Sequence, residues 1–334
     1  MFIGRLLLLS IFVVSGCILV AWAESPSTMS SGFVLVANKG EHTLGIIDPH
    51  AGRQVASIAE TGVTGHEVAA SPDGKLAFVP IYGDSGVGLP GTDGRWLDVI
   101  NLQQRRVVHT IDFGRGVRPH CAVFGPKDGL LYVTTELDQA VAIIDPRTFK
   151  ILGKIPTWQP ESHMLAIGPD GQRGYTANVG PGTVSVLDMV ARKTVAIIPV
   201  AAHVQRISVS PDGRWVFTSD TEKPRLAVID TKTAKVARWI PLPATGYGTA
   251  FRAGGKQVLV ALPSANSVAV IDTEAMQVRK TVAVPSSPQE ILVSPDGVAF
   301  VSCDHSAKVA AISPQSTVKL MDAGHIADGL AWAK

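Results

Sequence analysis

Nine histidines are spread along the 334 residues, and several of them keep time with one another. His66, His120 and His163 each stand six residues ahead of a proline, Pro72, Pro126 and Pro169. Gln205 and Gln289 hold the same place ahead of Pro211 and Pro295, and Tyr247 holds it ahead of Ala253. His325 aligns as a seventh copy, near the C-terminus. Imidazole is a common ligand for copper, zinc and iron, and imidazoles converging from separate strands can build a metal site. His66, His120, His163 and His325 are therefore the candidate metal ligands, with copper or zinc as the ion. The plainer alternative is that these histidines bridge neighbouring units of the chain or hold water.

A second candidate is the stretch from Tyr82 to Trp96, which has five glycines, two aspartates, one arginine and two aromatic residues. It lacks the Gly-Lys-Ser/Thr of a phosphate-binding loop. Long connections in compact domains are more often functional than incidental. Tyr82, Asp84, Asp93, Arg95 and Trp96 are accordingly candidate ligand contacts, joined by Arg118, which could attract an anion, and by Tyr247. Glu67, Glu136, Glu161, Glu290 and Asp220 supply carboxylates near the same positions. Cys121 and Cys303 read as buried packing thiols. No nucleophile elbow, zinc-protease motif or C-x-x-C-H haem attachment occurs.

What must position these residues is a repeat. Ser71-Pro72-Asp73-Gly74 returns as Gly168-Pro169-Asp170-Gly171, Ser210-Pro211-Asp212-Gly213 and Ser294-Pro295-Asp296-Gly297. Degenerate copies lie at Pro126-Lys127-Asp128-Gly129 and Arg252-Ala253-Gly254-Gly255, so the period is about 42 residues. Apolar runs closing in Asp or its equivalent recur seven times, at Asp48, Asn101, Asp145, Asp188, Asp230, Asp272 and Ser313. Each unit reads as four short strands: Ile207 to Val209, Trp215 to Phe217, Leu226 to Ile229 and Val236 to Ile240 in the cleanest copy. Four strands per unit with no helical period is a propeller blade. Phe33 to Ile58 supplies three strands of a blade, and Gly324 to Ala331 supplies an inner strand with nothing after it. Pairing the two closes an all-β, seven-bladed β-propeller. On this scheme seven of the nine histidines map to one face, the mouth of the central channel.

Leu131-Tyr132-Val133-Thr134-Thr135, Tyr175-Thr176-Ala177-Asn178 and Thr183-Val184-Ser185-Val186-Leu187-Asp188 resemble the YVTN family of propeller repeats, over essentially all of 33–334. That family is similar to surface-layer propellers, to the haem domain of cytochrome-type nitrite reductase and to the propeller half of nitrous oxide reductase. The last carries a copper cluster on histidines at such a face. Here Gln205, Tyr247 and Gln289 interrupt the ring, so reduction of nitrous oxide is not expected. Some similar propellers bind single-stranded DNA, but a net charge of +2 and 6% aromatic residues argue against nucleic acid here. The resemblance implies the fold and leaves the activity open, because one fold hosts many functions.

The start of the chain reads as an export signal. Arg5 precedes an apolar run from Leu6 to Val20, and Ala21-Trp22-Ala23 offers a small-residue cleavage site. The expected organisation is a signal peptide over 1–23, a short linker over 24–32 and the propeller over 33–334, in a periplasmic or secreted protein. Val14-Ser15-Gly16-Cys17 resembles a bacterial lipobox, and a lipid anchor at Cys17 is the alternative. About 310 residues then remain, enough for one large all-β domain. The function expected is a binding scaffold, holding a small molecule or a periplasmic or cell-surface protein at the histidine-rich mouth. The alternative is a metal-dependent enzyme or redox accessory of lactonase, lyase or oxidoreductase type.

Overall fold

The computed structural model describes residues 31–252 and 254–334. The proposed signal peptide, Cys17 and most of the linker lie outside them, as does Ala253 of one degenerate turn.

Seven four-stranded antiparallel sheets make up the described chain, the seven blades of a propeller. Blade 4 is typical: Ser162–Ile167 lies innermost, followed outward by Arg173–Asn178, Thr183–Asp188 and Lys193–Pro199. Burial falls off in the same direction. Arg173–Asn178 is buried at five of six positions, whereas Lys193–Pro199 alternates between exposed and covered. Middle strands packed on both faces read as continuous Val, Ile, Leu and Ala, and outer strands read as alternation.

The turn motif works through its side chains. In blade 5 the Ser210 hydroxyl donates to Asp212 Oδ1 (2.5 Å) and accepts from the Trp215 amide (2.9 Å), while Gly213 takes φ +72°. An L side chain is disfavoured there, which is why glycine ends each motif. The aspartates that close the third strands cap the next turn. Asp230 Oδ1 accepts from the amides of Lys232 (2.9 Å) and Thr233 (2.8 Å).

The ring closes as the terminal fragments require. Ala327–Ala333 pairs antiparallel with Phe33–Asn38, completing blade 1 and covering the otherwise open edge of Phe33–Asn38. One detail of register matters for the site. In blade 4, Ser162 faces Asn178 and the pairing then skips a residue, so that Met164 faces Ala177. The skipped residue, His163, is turned out of the ladder into the channel, as a β-bulge does. The same irregularity follows Pro119, Val204 and Pro288 in blades 3, 5 and 7.

Candidate functional site

Bulged residues from successive blades form the first layer of the channel mouth. They are His66, His120, His163, Gln205, Tyr247 and Gln289, with Asp328 from blade 1. His325 is not among them. Blade 1 pairs Ala327 with Asn38, as blade 4 pairs Ser162 with Asn178, so the residue matching His163 is Asp328. His325 lies three residues earlier, exposed, its amide on Glu41 Oε1 at 3.1 Å. The sequence offered no turn motif after this strand from which to count, and alignment on the nearest histidine placed it three residues early.

Three of the four candidate metal ligands do meet. The rings of His66 and His120 lie 5.4 Å apart, and those of His120 and His163 lie 3.5 Å apart at 30°. Tyr82 packs on all three, at 4.7, 5.3 and 6.0 Å. His120 and His163 are 1% and 2% exposed, and neither Nδ1 has a hydrogen-bond partner. Burial holds both imidazoles well below their ordinary pKa, helped at His120 by the neighbouring His163 and His66 and at His163 by the Arg206 charge, and burial with Lys39 brings His66 down to about 3. All three are neutral at neutral pH, the form in which imidazole offers a lone pair to a metal or a donor. Among the described residues, however, no three His, Cys, Asp or Glu side chains group closely enough to hold an ion by themselves.

A second layer lies one residue on, and here the sequence pattern gave little warning. Arg206, 2% exposed, crosses the channel. Its Nη1 meets Glu67 Oε1 at 2.5 Å and Glu290 Oε2 at 2.6 Å, its Nη2 meets Asp328 Oδ1 at 3.0 Å, and its plane lies 5.2 Å from the Tyr247 ring. Lys39 Nζ adds a contact to Asp328 Oδ2 at 3.3 Å. Blades 1, 2, 5 and 7 are thereby tied across the axis. Burial pushes the Glu67 carboxyl up to about 8 despite Arg206, with Glu290 and Asp328 adding to the rise. Asp328 moves the other way: burial raises it, but Lys39 and Arg206 outweigh that and hold it below the usual carboxylate range. In the sequence Arg206 stands out as a further cation beside Gln205, as Glu67 and Glu290 stand in their own blades; strand alternation leaves its direction open, and the structure turns it inward.

The glycine-rich insertion reaches over the histidine side of the mouth. Strands Leu76–Gly83 and Asp93–Asn101 are longer than their counterparts, leaving 84–92 as the connection. The Tyr82 hydroxyl donates to Glu136 Oε2, and Gly88 N donates to Glu136 Oε1 at 3.2 Å. Arg118 donates to Asp93 Oδ1 at 2.7 Å, to Leu89 O at 2.7 Å and to Glu136 Oε1 at 3.3 Å. Tyr82, Asp93, Arg118 and Tyr247 thus belong to the mouth. Three other candidates do not. Asp84 braces the connection itself through Thr92 (2.6 Å to its amide), Arg95 pairs with Asp112 in the open at 2.5 Å, and Trp96 packs in the apolar core between blades 1 and 2.

Residues 124–252 match the family described as the cytochrome D1 heme domain. The match takes in His163, Arg206 and Tyr247 and leaves out His66, Tyr82, Arg118 and His120. Hydrazine synthase of Kuenenia stuttgartiensis is a similar solved structure, with a TM-score of 0.75 at 17% identity over 86% of this chain and 93% of that one. At that identity the likeness is one of fold. A comparison with curated proteins finds no match. No helix among the described residues is long and apolar enough to cross a membrane.

Proposed function

We propose that the protein is an exported binding scaffold that receives a small ligand at the channel mouth, beside His66, His120 and His163. The observation that carries this is the pair of buried Nδ1 atoms on His120 and His163 without partners. Buried polar groups without a hydrogen bond are costly, and they persist where function uses them. The second layer supports the same reading, because Arg206 and its carboxylates fill the axis and a ligand would have to enter and leave by one face. Partners of this kind are small molecules or periplasmic proteins, with nucleic acid not expected. Export rests on residues 1–23, with a lipid anchor at Cys17 as its variant, and the YVTN-type assignment rests on its own repeat residues.

The partial match to a heme-domain family favours one ligand class, a metal-bearing tetrapyrrole, and with it the redox-accessory reading. The donor set fits in part. A bare copper or zinc ion needs three or four protein ligands, whereas a tetrapyrrole brings most of its own and needs one or two imidazoles. Their rings, lying 3.5 Å apart, leave one of them, His120 or His163, as the imidazole that would hold the group, and the group would supply one-electron chemistry. Tyr82 and Glu136 would line the pocket and exclude water.

Titration of the purified mature protein with haemin, followed in the Soret band, tests this. A saturable shift at about one equivalent, lost in His120→Ala/His163→Ala while far-UV circular dichroism is unchanged, is the expected result. Elemental analysis of protein purified without chelator or metal-affinity tag gives the other arm. One copper or zinc per chain, removed by the same substitutions, would replace the tetrapyrrole reading with a metal site. A Soret response identical in wild type and variant would overturn the assignment of the imidazoles as ligands.

A further inference from the structure

We propose that residues 84–92 form a lid that admits ligand to the imidazole pocket, and that Arg118 is its latch. The inference rests on the pocket being the binding site, yet its test needs no ligand. The segment leaves blade 2 through a narrow neck. Gly83 has φ +112°, and a Cβ on it would lie 1.9 Å from Thr92 O; a Cβ on Gly94 would lie 1.8 Å from Ile81 O. Two glycines are what let the strands approach so closely at that point. Between them no apolar side chain of 84–92 is buried, and Leu89 is 61% exposed. The connection therefore has no hydrophobic anchor, and segments of that kind open at low cost.

What holds it shut is polar and converges on Arg118 and the Glu136 carboxylate that it contacts. Arg118 grips the Leu89 carbonyl at 2.7 Å and reaches toward that of Gly86 at 3.5 Å, while Glu136 accepts from Gly88 N. Arg118 itself is 5% exposed and held at φ +50°, a conformation that non-glycine residues seldom keep unless the surroundings impose it. Glu136, which accepts from Gly88 N, also lies 4.0 Å from His163 Nδ1, and behind it His120 and His163 are 1% and 2% exposed with Nδ1 atoms that make no hydrogen bond. Imidazoles so enclosed have to be uncovered before a ligand can reach them, and the contacts that would break are those of Arg118 and Glu136.

The test is the reactivity of individual histidines toward diethyl pyrocarbonate, which modifies neutral imidazole, read by peptide mass spectrometry on the full mature chain. Exposed His50, His203, His305 and His325 serve as internal standards. In wild type, His120 and His163 are expected to react far more slowly than these. In Arg118→Gln their rates rise about tenfold or more, the factor expected from losing one charge-assisted hydrogen bond. Hydrogen exchange of 84–92 accelerates with them while the blade strands stay protected. Asp93→Asn, which removes one partner of Arg118 at a half-exposed position, gives a smaller rise and covers the case in which the arginine variant does not fold. Fast modification of His120 and His163 in wild type would show that nothing seals them. Unchanged protection in folded Arg118→Gln and in Asp93→Asn would show that Arg118 is no latch. Either result overturns the lid, whatever the ligand titrations give.

Discussion

Replacing Arg206 with Met is the most informative perturbation of the channel. The side chain keeps most of its length and loses the charge, leaving Glu67, Glu290 and Asp328 facing one another with side-chain exposures of 8%, 18% and 10%. Taking one partner from a buried ionic group costs about 3–5 kcal/mol, because the remaining charges keep their desolvation penalty without compensation. The pH dependence follows from sign. Burial already raises Glu67 to about 8 and pushes Glu290 up, and Arg206 is the main influence opposing that rise. Without it both carboxyls rise further. A carboxyl raised on folding contributes stability that is complete below its unfolded value and is lost as pH climbs through the folded value. The loss should therefore be small near pH 5, where protons replace the guanidinium, and grow as pH climbs past about 8, the folded value of Glu67 in the wild type. Urea unfolding followed by tryptophan fluorescence at about pH 5 and about pH 9 measures it. Glu67→Gln in the Arg206→Met background should recover part of the loss at about pH 9. An equal loss at both pH values, or one below about 1 kcal/mol at about pH 9, would refute the view that Arg206 offsets buried negative charge.

Two further perturbations probe the frame. Glu60 accepts from the Gly65 amide at 2.6 Å, and burial together with the nearby Asp98 raises its carboxyl to about 7. Glu60→Gln keeps the acceptor without the charge, so it should leave stability at pH 4 unchanged and raise it by about 2 kcal/mol at pH 8, the upper figure of about 3 being reduced for partial exposure; urea midpoints at the two pH values decide. Ending the chain before Ala327 removes the inner strand of blade 1, exposing the edge of Phe33–Asn38 with Val34, Leu35 and Val36, all fully buried in the intact ring. The truncated chain should be recovered mainly as aggregate by size-exclusion chromatography, and a soluble monomer with an unchanged unfolding midpoint would show that closure is dispensable.

The architecture was open to reading because its markers are local. Each Ser-Pro-Asp-Gly turn and each strand-ending Asp specifies its own few residues through hydrogen bonds within the turn, so the period survives even where one copy degenerates to Arg252-Ala253-Gly254-Gly255. The first layer of the channel could be counted from those turns for six blades. It failed for the seventh, where His325 was taken in place of Asp328, because the closing strand carries no turn of its own. The face of the insertion was legible from topology, but its pointing was not. Tyr82 and Asp93 turn toward the channel, whereas Arg95 and Trp96 turn away, and that depends on a bulge between Ile81 and Gly83 that leaves no mark in the residue types. The Arg206 network was the least legible, since its carboxylate partners are more than 80 residues away in sequence and meet only when the ring closes.

The two layers together explain why the mouth is asymmetric. Arg206 of blade 5 and Lys39 of blade 1 face three carboxylates, from blades 1, 2 and 7, and that charge is consumed internally. Their positive field falls on the imidazoles of blades 2, 3 and 4, lowering the pKa of His66, His120 and His163 beyond what burial alone does. The ion network therefore does more than brace the ring: Arg206 and Lys39 add to burial, the larger cause, in holding the histidines uncharged with their lone pairs free. Arg206→Met should accordingly make the imidazoles easier to protonate, and a carboxylate left unpaired beside them should reinforce that effect. Histidine titrations followed by NMR would show His66 moving up from about 3, and His120 and His163 moving up with it, without any residue of the first layer having been changed. Imidazoles that titrate in the variant as they do in wild type would mean that burial alone sets their state, and the second layer would then be a brace and nothing more.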